Sequence, residues 1–438
     1  MLNAIQPAAN APTGSAVVAR RLKAIFIGSI GNLVEWYDFY AYAAFSLYFA
    51  ASFFPKDDAV TQQLNSAFIF ALAFFARPIG AWLFGNLADR RGRRLSLILS
   101  VAMMCFGSLL IAAAPTYAMV GIWAPILLSF ARIIQGISLG GEYGASASYI
   151  GEIADPRRRG FYSSFLYVTL IGGQLCAVLV LLALQRVFLD DAQLRAWGWR
   201  IPFVIGAGLA IVAALMRGTL QETEAFVADK REKRPSAWAF LRYPKEVLLV
   251  IGLTMGGTAA FYTFTTYMQK FLKLSVKLGD DQTTMVTAGS LLFAILLQPL
   301  YGALSDRIGR KPLLIGFGVL GVLATIPILT ALQSAQSPWM ALLLISGAWL
   351  YVSGYTAINA IVKAELFPTH VRATGIAVPY ALTVSVFGGT AEPIALAFKQ
   401  GGHEEFFYYY LTAIIAVSLL VYVFMRDTGR NSAMERRS

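Results

Sequence analysis

Apolar runs of about 20 residues recur along this chain, each parted from the next by a short polar stretch. A helix of that length spans the hydrocarbon core of a bilayer and satisfies its own backbone groups without water. The runs fall near 20–54, 63–88, 95–114, 118–150, 160–187, 199–219, 246–272, 280–304, 313–332, 338–363, 374–398 and 405–426. Composition agrees: 57% of residues are apolar, 14% are charged and mean hydropathy is +0.62, whereas soluble domains carry about 25% charged residues. The expectation is an all-α membrane protein with about twelve transmembrane helices.

The net charge of +12 does not call for a nucleic acid, because the basic residues sit between alternate apolar runs rather than on one face or tail. The N-terminal segment, the loops after runs 2, 4, 6, 8 and 10, and the C-terminal tail hold 26 of the 36 Lys and Arg residues. By the positive-inside rule both termini and those loops are cytoplasmic. Residues 1–19 read as a disordered tail, 20–220 as a first six-helix bundle, 221–245 as a cytoplasmic linker, 246–426 as a second bundle and 427–438 as a cytoplasmic tail. Cys105 and Cys176 lie in apolar runs and His370 and His403 are the only histidines, which gives no metal site and no expected cofactor.

One loop appears twice. GNLADRRGRR, from Gly85 to Arg94, returns 217 residues later as GALSDRIGRK, from Gly302 to Lys311. A second pair has nearly the same offset: Glu152 and Arg159 after run 4, Glu365 and Arg372 after run 10. Two independent signals agree on one internal duplication, hence two six-helix pseudo-repeats. In each loop Gly85 and Gly92, or Gly302 and Gly309, permit a tight turn and close helix approach. Asp89 or Asp306 can accept hydrogen bonds at a helix N-terminus, where negative charge is favoured. Arg90, Arg93, Arg307 and Arg310 can pair with acids such as Glu152 and Glu365. These residues, with Arg159 and Arg372, are expected to form a cytoplasmic gate; the alternative is that the loops only fix topology.

Ionisable groups within the runs carry the functional signal, since each costs roughly 2.5–3.5 kcal/mol at a helix centre even on the lenient insertion scale. Glu35, Asp38 and Tyr42 share one face of helix 1, and Arg132, Gln135 and Glu142 form a stripe along helix 4. Gly136, Gly140, Gly141 and Gly144 suit close packing there. Tyr262, Thr266, Gln269 and Lys270 mark helix 7; Tyr351, Tyr355 and Asn359 mark helix 10. Arg77 and Arg132 are the anion candidates, because a guanidinium stays charged and its fork matches a carboxylate. The competing reading makes them permanent partners of Glu35, Asp38 or Glu142, and has Lys270 snorkelling from a helix end. Asp38, Glu35, Glu142 and Glu392 are the candidate proton carriers, and Pro393 beside Glu392 makes a kink plausible.

The paired GxxxDRxGRR loops resemble the hallmark of the major facilitator superfamily, over essentially all of residues 20–426. Within it, GNLVEWYDFYAYAAFSLYFAASFFP, ARPIGAWLFGNLADRRGRR, GGEYGASASYIGE and KAELFPTHVRATG resemble the metabolite:proton symporter family. Arg132 to Gly136 resembles the superfamily's RxxQG motif, implicated in proton coupling. The resemblance implies the major facilitator fold with helices 1, 4, 7 and 10 lining a central cavity, and substrate contacts from Arg77, Arg132, Tyr42, Gln135, Tyr262, Thr266, Lys270 and Tyr355. It implies a monomeric, multi-pass symporter of the bacterial inner membrane, not an enzyme, that imports a small organic acid with protons. The first candidate is 2-oxoglutarate; citrate, shikimate, a C4-dicarboxylate, or a compatible solute such as proline or betaine are the alternatives. A dianion entering a negative interior faces about 4.6 kcal/mol per 100 mV, so electroneutral entry needs two protons.

Overall fold

The computed structural model describes residues 14–55, 57–91, 93–140, 154–155, 157–218, 239–368, 371–429 and 432–433. Twelve helical spans account for nearly all of them. The first half runs α1 (Gly14–Phe53), α2 (Ala59–Arg91), α3 (Arg93–Ala113), α4 (Trp123–Leu139), α5 (Arg159–Phe188) and α6 (Ile201–Gly218). The second runs α7 (Pro244–Leu274), α8 (Asp280–Ile308), α9 (Arg310–Gln333), α10 (Pro338–Leu366), α11 (Arg372–Gln400) and α12 (Glu405–Phe424). Their outer faces carry bare Phe, Leu, Ile and Trp side chains, such as Phe130, Leu323 and Phe424, the surface that lipid covers.

Local chemistry sets the ends. Ser337 caps α10 by accepting from the Met340 amide at 3.2 Å, and Pro338 fills a first-turn position whose missing N–H costs nothing. Asp280 and Asp281 open α8, where the helix dipole favours them. The expected fourth run from 118 is broken: Tyr117–Val120 forms one turn, and Gly121 takes φ +60° before α4 begins, a conformation open to Gly for want of a Cβ. The N-terminal helix also starts earlier than residue 20, at Gly14; the apolar Ala16–Ala19 stretch lets the helix extend. At the other end, residues 427–433 are no loose tail where described, since Thr428 and Ser432 are buried and Thr428 donates to Glu365 at 2.7 Å.

Among the described residues three spans contain a wide π turn: α5 at Leu184–Phe188, α7 at Thr263–Tyr267 and α11 at Val384–Gly388. Such turns often mark functional sites within helices. The last two fall just before Lys270 and Glu392.

Helices α2 and α4 touch backbone to backbone. A Cβ on Gly136 would land on the Ala73 carbonyl, one on Gly140 on the Arg77 carbonyl, and one on Gly80 on the Ile137 carbonyl. The close packing expected of Gly136 and Gly140 is therefore what positions Arg77 and Arg132 side by side. Gly136→Val should cost about 1–3 kcal/mol through overpacking and lower the melting temperature in detergent, whereas Gly347→Ala, with open space around the new methyl, should not. Equal melting of the two variants would contradict this packing.

Among the described residues two seams between the halves are the most extensive. Helix α5 packs against α8, and α2 against α11. Near the α2–α11 seam the Ser385 hydroxyl donates to the Phe74 carbonyl at 2.6 Å.

Candidate functional site

Aromatic rings from α1 and α2 line the site. Trp36, Phe39 and Tyr42 on α1 and Phe70 and Phe74 on α2 are buried and edge or stack on one another. Two cations lie on this surface. The Arg77 guanidinium carbon is 4.3 Å from the Phe74 centroid and 4.6 Å from that of Phe39. That of Arg132 is 4.5 Å from Phe39 and 4.6 Å from Tyr42. One ring thus serves both guanidinia, and cation–π attraction holds them out of water. Nε and Nη2 of each have no hydrogen-bond acceptor among the described residues. Unmet guanidinium donors at 5% and 0% exposure are costly, and an anion would satisfy them.

Arg132 also makes one specific bond. Its Nη1 donates to Gln135 Oε1 at 2.6 Å, and Gln135 Nε2 donates to Asp38 Oδ2 at 2.7 Å. Ser108 on α3 donates to the other Asp38 oxygen and receives Gln135 Nε2 at 2.9 Å. Asp38 is fully buried. A carboxylate and a guanidinium are thereby joined through one amide, so a change of charge at Asp38 reaches Arg132 through a single side chain. Ser108 had no sequence signal, because one Ser in an apolar helix is ordinary.

The second half contributes a direct ion pair: Lys270 Nζ on α7 stands 2.8 Å from Glu392 Oε1 on α11, both nearly fully buried. The snorkelling reading of Lys270 fails, because α7 continues to Leu274 and leaves Lys270 1% exposed. Tyr262 edges on Phe74 at 5.0 Å and lies beside Arg77. Two expected contacts stay close to the site, Thr266 beside Glu392 and Tyr355 beside Tyr262, but already hold partners in the protein. The Thr266 hydroxyl donates back to the Tyr262 carbonyl at 3.0 Å, and Tyr355 packs within the second half against Phe317 and Thr258. Tyr42 both underlies Arg132 and donates to the Ser66 carbonyl at 3.1 Å. Glu35 is buried on α1. Glu142 lies outside the described residues.

A residue outside the expected set is Lys363, at the end of the tenth apolar run. It is buried inside α10, donates to Asn359 at 2.8 Å and stands 3.9 Å over the Tyr380 ring. Its signal was the Asn359/Lys363 spacing of one helical turn between apolar residues.

On the face bearing the repeated loops, Asp306 in the second copy accepts from the Gly160 and Phe161 amides at 2.8 and 2.9 Å. It caps the N-terminus of α5, in the opposite half, and pairs with Arg310 at 2.8 Å. Arg310 reaches Glu365 at 3.4 Å, and Arg159 is within electrostatic reach of Glu365. Gly302 and Gly160 approach so closely that neither has room for a Cβ, and Gly309 ends α8 at φ +96°. Arg307 is exposed. Arg372 donates to the Ala364 and Phe367 carbonyls at 3.2 Å, a staple within its own half. In the first copy, Gly92 and Glu152 lie outside the described residues, as do the side chains of Gly85, Asp89, Arg90 and Arg93. Asp306→Asn should weaken this seam by roughly 1–3 kcal/mol, 5- to 150-fold in the population of the closed form. The readout is reagent access to a cysteine placed at Ser164, which is buried beside Gly302; unchanged access would remove Asp306 from the seam.

The opposite face is closed too. Arg195 meets Asp280 at 3.0 Å, Arg186 meets Asp281 at 3.1 Å, and Gln400 donates to Thr61 at 2.7 Å. Each contact joins the two halves.

Two duplicated six-helix sets enclosing charged groups between bonded faces define a secondary transporter of the major facilitator fold. The chain belongs to the sugar (and other) transporter family, whose model matches residues 24–246 and again 239–435. It is 48% identical over 411 residues to the alpha-ketoglutarate permease of Escherichia coli K12, covering 94% of this chain and 95% of that protein. It is 31% identical over 423 residues to the proline/betaine transporter of the same strain, covering 93% and 84%. The partially occluded inward-open form of the xylose transporter XylE from E. coli superposes with a TM-score of 0.72 at 19% identity, over 92% of this chain and 97% of that one.

Proposed function

We propose that the protein imports 2-oxoglutarate together with protons across the bacterial cytoplasmic membrane, as a monomer, by alternating access. The observation that carries this reading is the pair of buried guanidinia around Phe39 with donors unmet, one of them tied through Gln135 to Asp38. Two fixed cations with unmet donors draw an acidic substrate to the site. The 48% identity to a permease for that acid supports the same cargo. A zwitterion such as proline or betaine offers one carboxylate and brings a cation of its own against Arg77 or Arg132, which like-charge repulsion disfavours.

Asp38 carries a proton in this scheme, with Glu35, Glu142 and Glu392 as the other acids available to it. The bundles 20–220 and 246–426 rock about the site while 221–245 links them. Both termini and the repeated loops face the cytoplasm, as the basic residues require. The Asp306, Arg310 and Glu365 contacts form the cytoplasmic gate, and the Arg195–Asp280 and Arg186–Asp281 pairs form the outer one.

The decisive experiment is uptake of labelled 2-oxoglutarate into proteoliposomes under an imposed pH gradient, with succinate, citrate, shikimate and proline as competitors. Accumulation that collapses with the gradient, and competition by dicarboxylates ahead of proline, is the expected result. Indifference to every carboxylate would defeat the proposal, and binding without accumulation would make the protein a receptor.

A further inference from the structure

Lys270 and Glu392 do more than neutralise one another. An ammonium has three donors; one goes to Glu392 Oε1 at 2.8 Å and a second to the Ala43 carbonyl of α1, in the opposite half, at 3.1 Å. The neighbouring Gln269 donates to the Ala44 carbonyl at 3.1 Å. Glu392 keeps Oε2 buried with no hydrogen-bond partner among the described residues. Among the described residues the pair therefore has a third ammonium donor and Glu392 Oε2 without a hydrogen-bond partner, at a buried junction of the two halves with Thr266 alongside. It also adjoins the guanidinium site: Ala43 follows Tyr42, whose ring lies under Arg132, and Tyr42 is within electrostatic reach of both Arg132 and Glu392.

Charged or titratable groups facing Glu392 among the described residues are Lys270 and Tyr267 from α7 and Tyr42 from α1. The two tyrosines are neutral phenols at ordinary pH, so Lys270 is the sole balancing cation in that set. Removing the negative charge of Glu392 would leave a buried ammonium in need of an anion.

We propose that Lys270 and Glu392 form a second carboxylate–proton exchange site: a substrate carboxylate replaces Glu392 on Lys270 while a proton from the same side of the membrane neutralises Glu392. This rests on the organic-acid reading above and assigns the second of the two protons. The charge balance is closed, because the pair starts neutral and gains one negative carboxylate and one proton. The Asp38, Gln135 and Arg132 chain performs the same exchange for the first carboxylate. A dicarboxylate then enters with two protons and no net charge. Because Lys270 also holds the Ala43 carbonyl, the exchange at Lys270 acts directly on a contact between the halves.

The test is the proton to 2-oxoglutarate ratio in proteoliposomes, taken from the substrate gradient that stops net flux at a set pH gradient and clamped potential. Wild-type protein should give two and Glu392→Gln one. Uptake by the variant should become opposed by an inside-negative potential, about fifty-fold in accumulation per 100 mV. Counterflow, which needs no net proton movement, reports folding and binding separately. Should Glu392→Gln alone lose counterflow, the Lys270→Gln/Glu392→Gln double variant removes both charges and leaves neither buried alone. A ratio of two in either variant, or a folded double variant that keeps wild-type half-saturation for 2-oxoglutarate in counterflow although its Lys270 anchor is gone, would overturn the assignment. Wild-type protein without 2-oxoglutarate counterflow would instead overturn the choice of substrate.

Discussion

Arg132→Gln will raise the concentration of 2-oxoglutarate for half-maximal uptake at least about 30-fold while leaving the amount of folded protein in the membrane near wild type. Truncating one partner of a buried charge contact costs about 2–5 kcal/mol, which is 30-fold at its lower end. Among the described residues Arg132 has two nitrogens without an acceptor and only Gln135 as a side-chain acceptor, so a substrate carboxylate would be its principal counterion. A Gln side chain can still donate to Gln135 Oε1, which argues against wholesale collapse of α4. Arg132→Lys should recover part of the loss and not all, since an ammonium offers a point charge where the fork offered a bidentate contact. Uptake and equilibrium binding, read beside fluorescence-detected size exclusion, separate the possibilities. Wild-type binding with poor expression would mean that Arg132 is structural.

Asp38→Asn will lower the proton to 2-oxoglutarate ratio from two to one, so that accumulation driven by a pH gradient falls steeply while the protein still catalyses exchange, at a reduced rate. Asn keeps an oxygen to accept from Ser108 or Gln135, whose bonds now converge on the carboxylate, but it cannot take up and release a proton. Losing one proton from the cycle leaves one uncompensated charge, about 2.3 kcal/mol per 100 mV against entry. That is near fifty-fold in the attainable gradient, besides the lost contribution of the pH difference itself. Accumulation ratios measured with and without a protonophore provide the check. If the variant keeps the wild-type accumulation ratio and its full dependence on the gradient, the first proton travels on an acid other than Asp38.

Much of this architecture is legible from the residues alone, because a bilayer permits so few solutions. Helix number and order follow from apolar runs of spanning length, and the duplication follows from two loops repeated at one offset. Arg132 and Gln135 were placed on one face by a spacing of three. What spacing could not supply was the partner across the gap: Gln135 bridges to Asp38 on a helix 97 residues away in sequence, and that meeting depends on how α1 packs against α4. The snorkelling alternative for Lys270 fails for a related reason, and Lys363, the last residue of the tenth run, is hidden by it too. A cation near the end of an apolar run looks like an interfacial anchor until the helix is seen to continue beyond it. Nor does hydropathy register a wide turn, since a π turn inside an apolar run leaves the run apolar.

Those wide turns have a further consequence. Each residue advances a helix by about 100°, so one residue too many within a turn rotates everything beyond it by that angle. Thr263–Tyr267 sets the azimuth of Lys270, and Val384–Gly388 sets that of Glu392. An uninterrupted α7 would swing the ammonium away from α11, and an uninterrupted α11 would do the same to the carboxylate. Removing one residue from either turn would break the pair while changing neither of its members, whereas the angular setting of both helices together is what keeps two opposite charges in register inside a membrane.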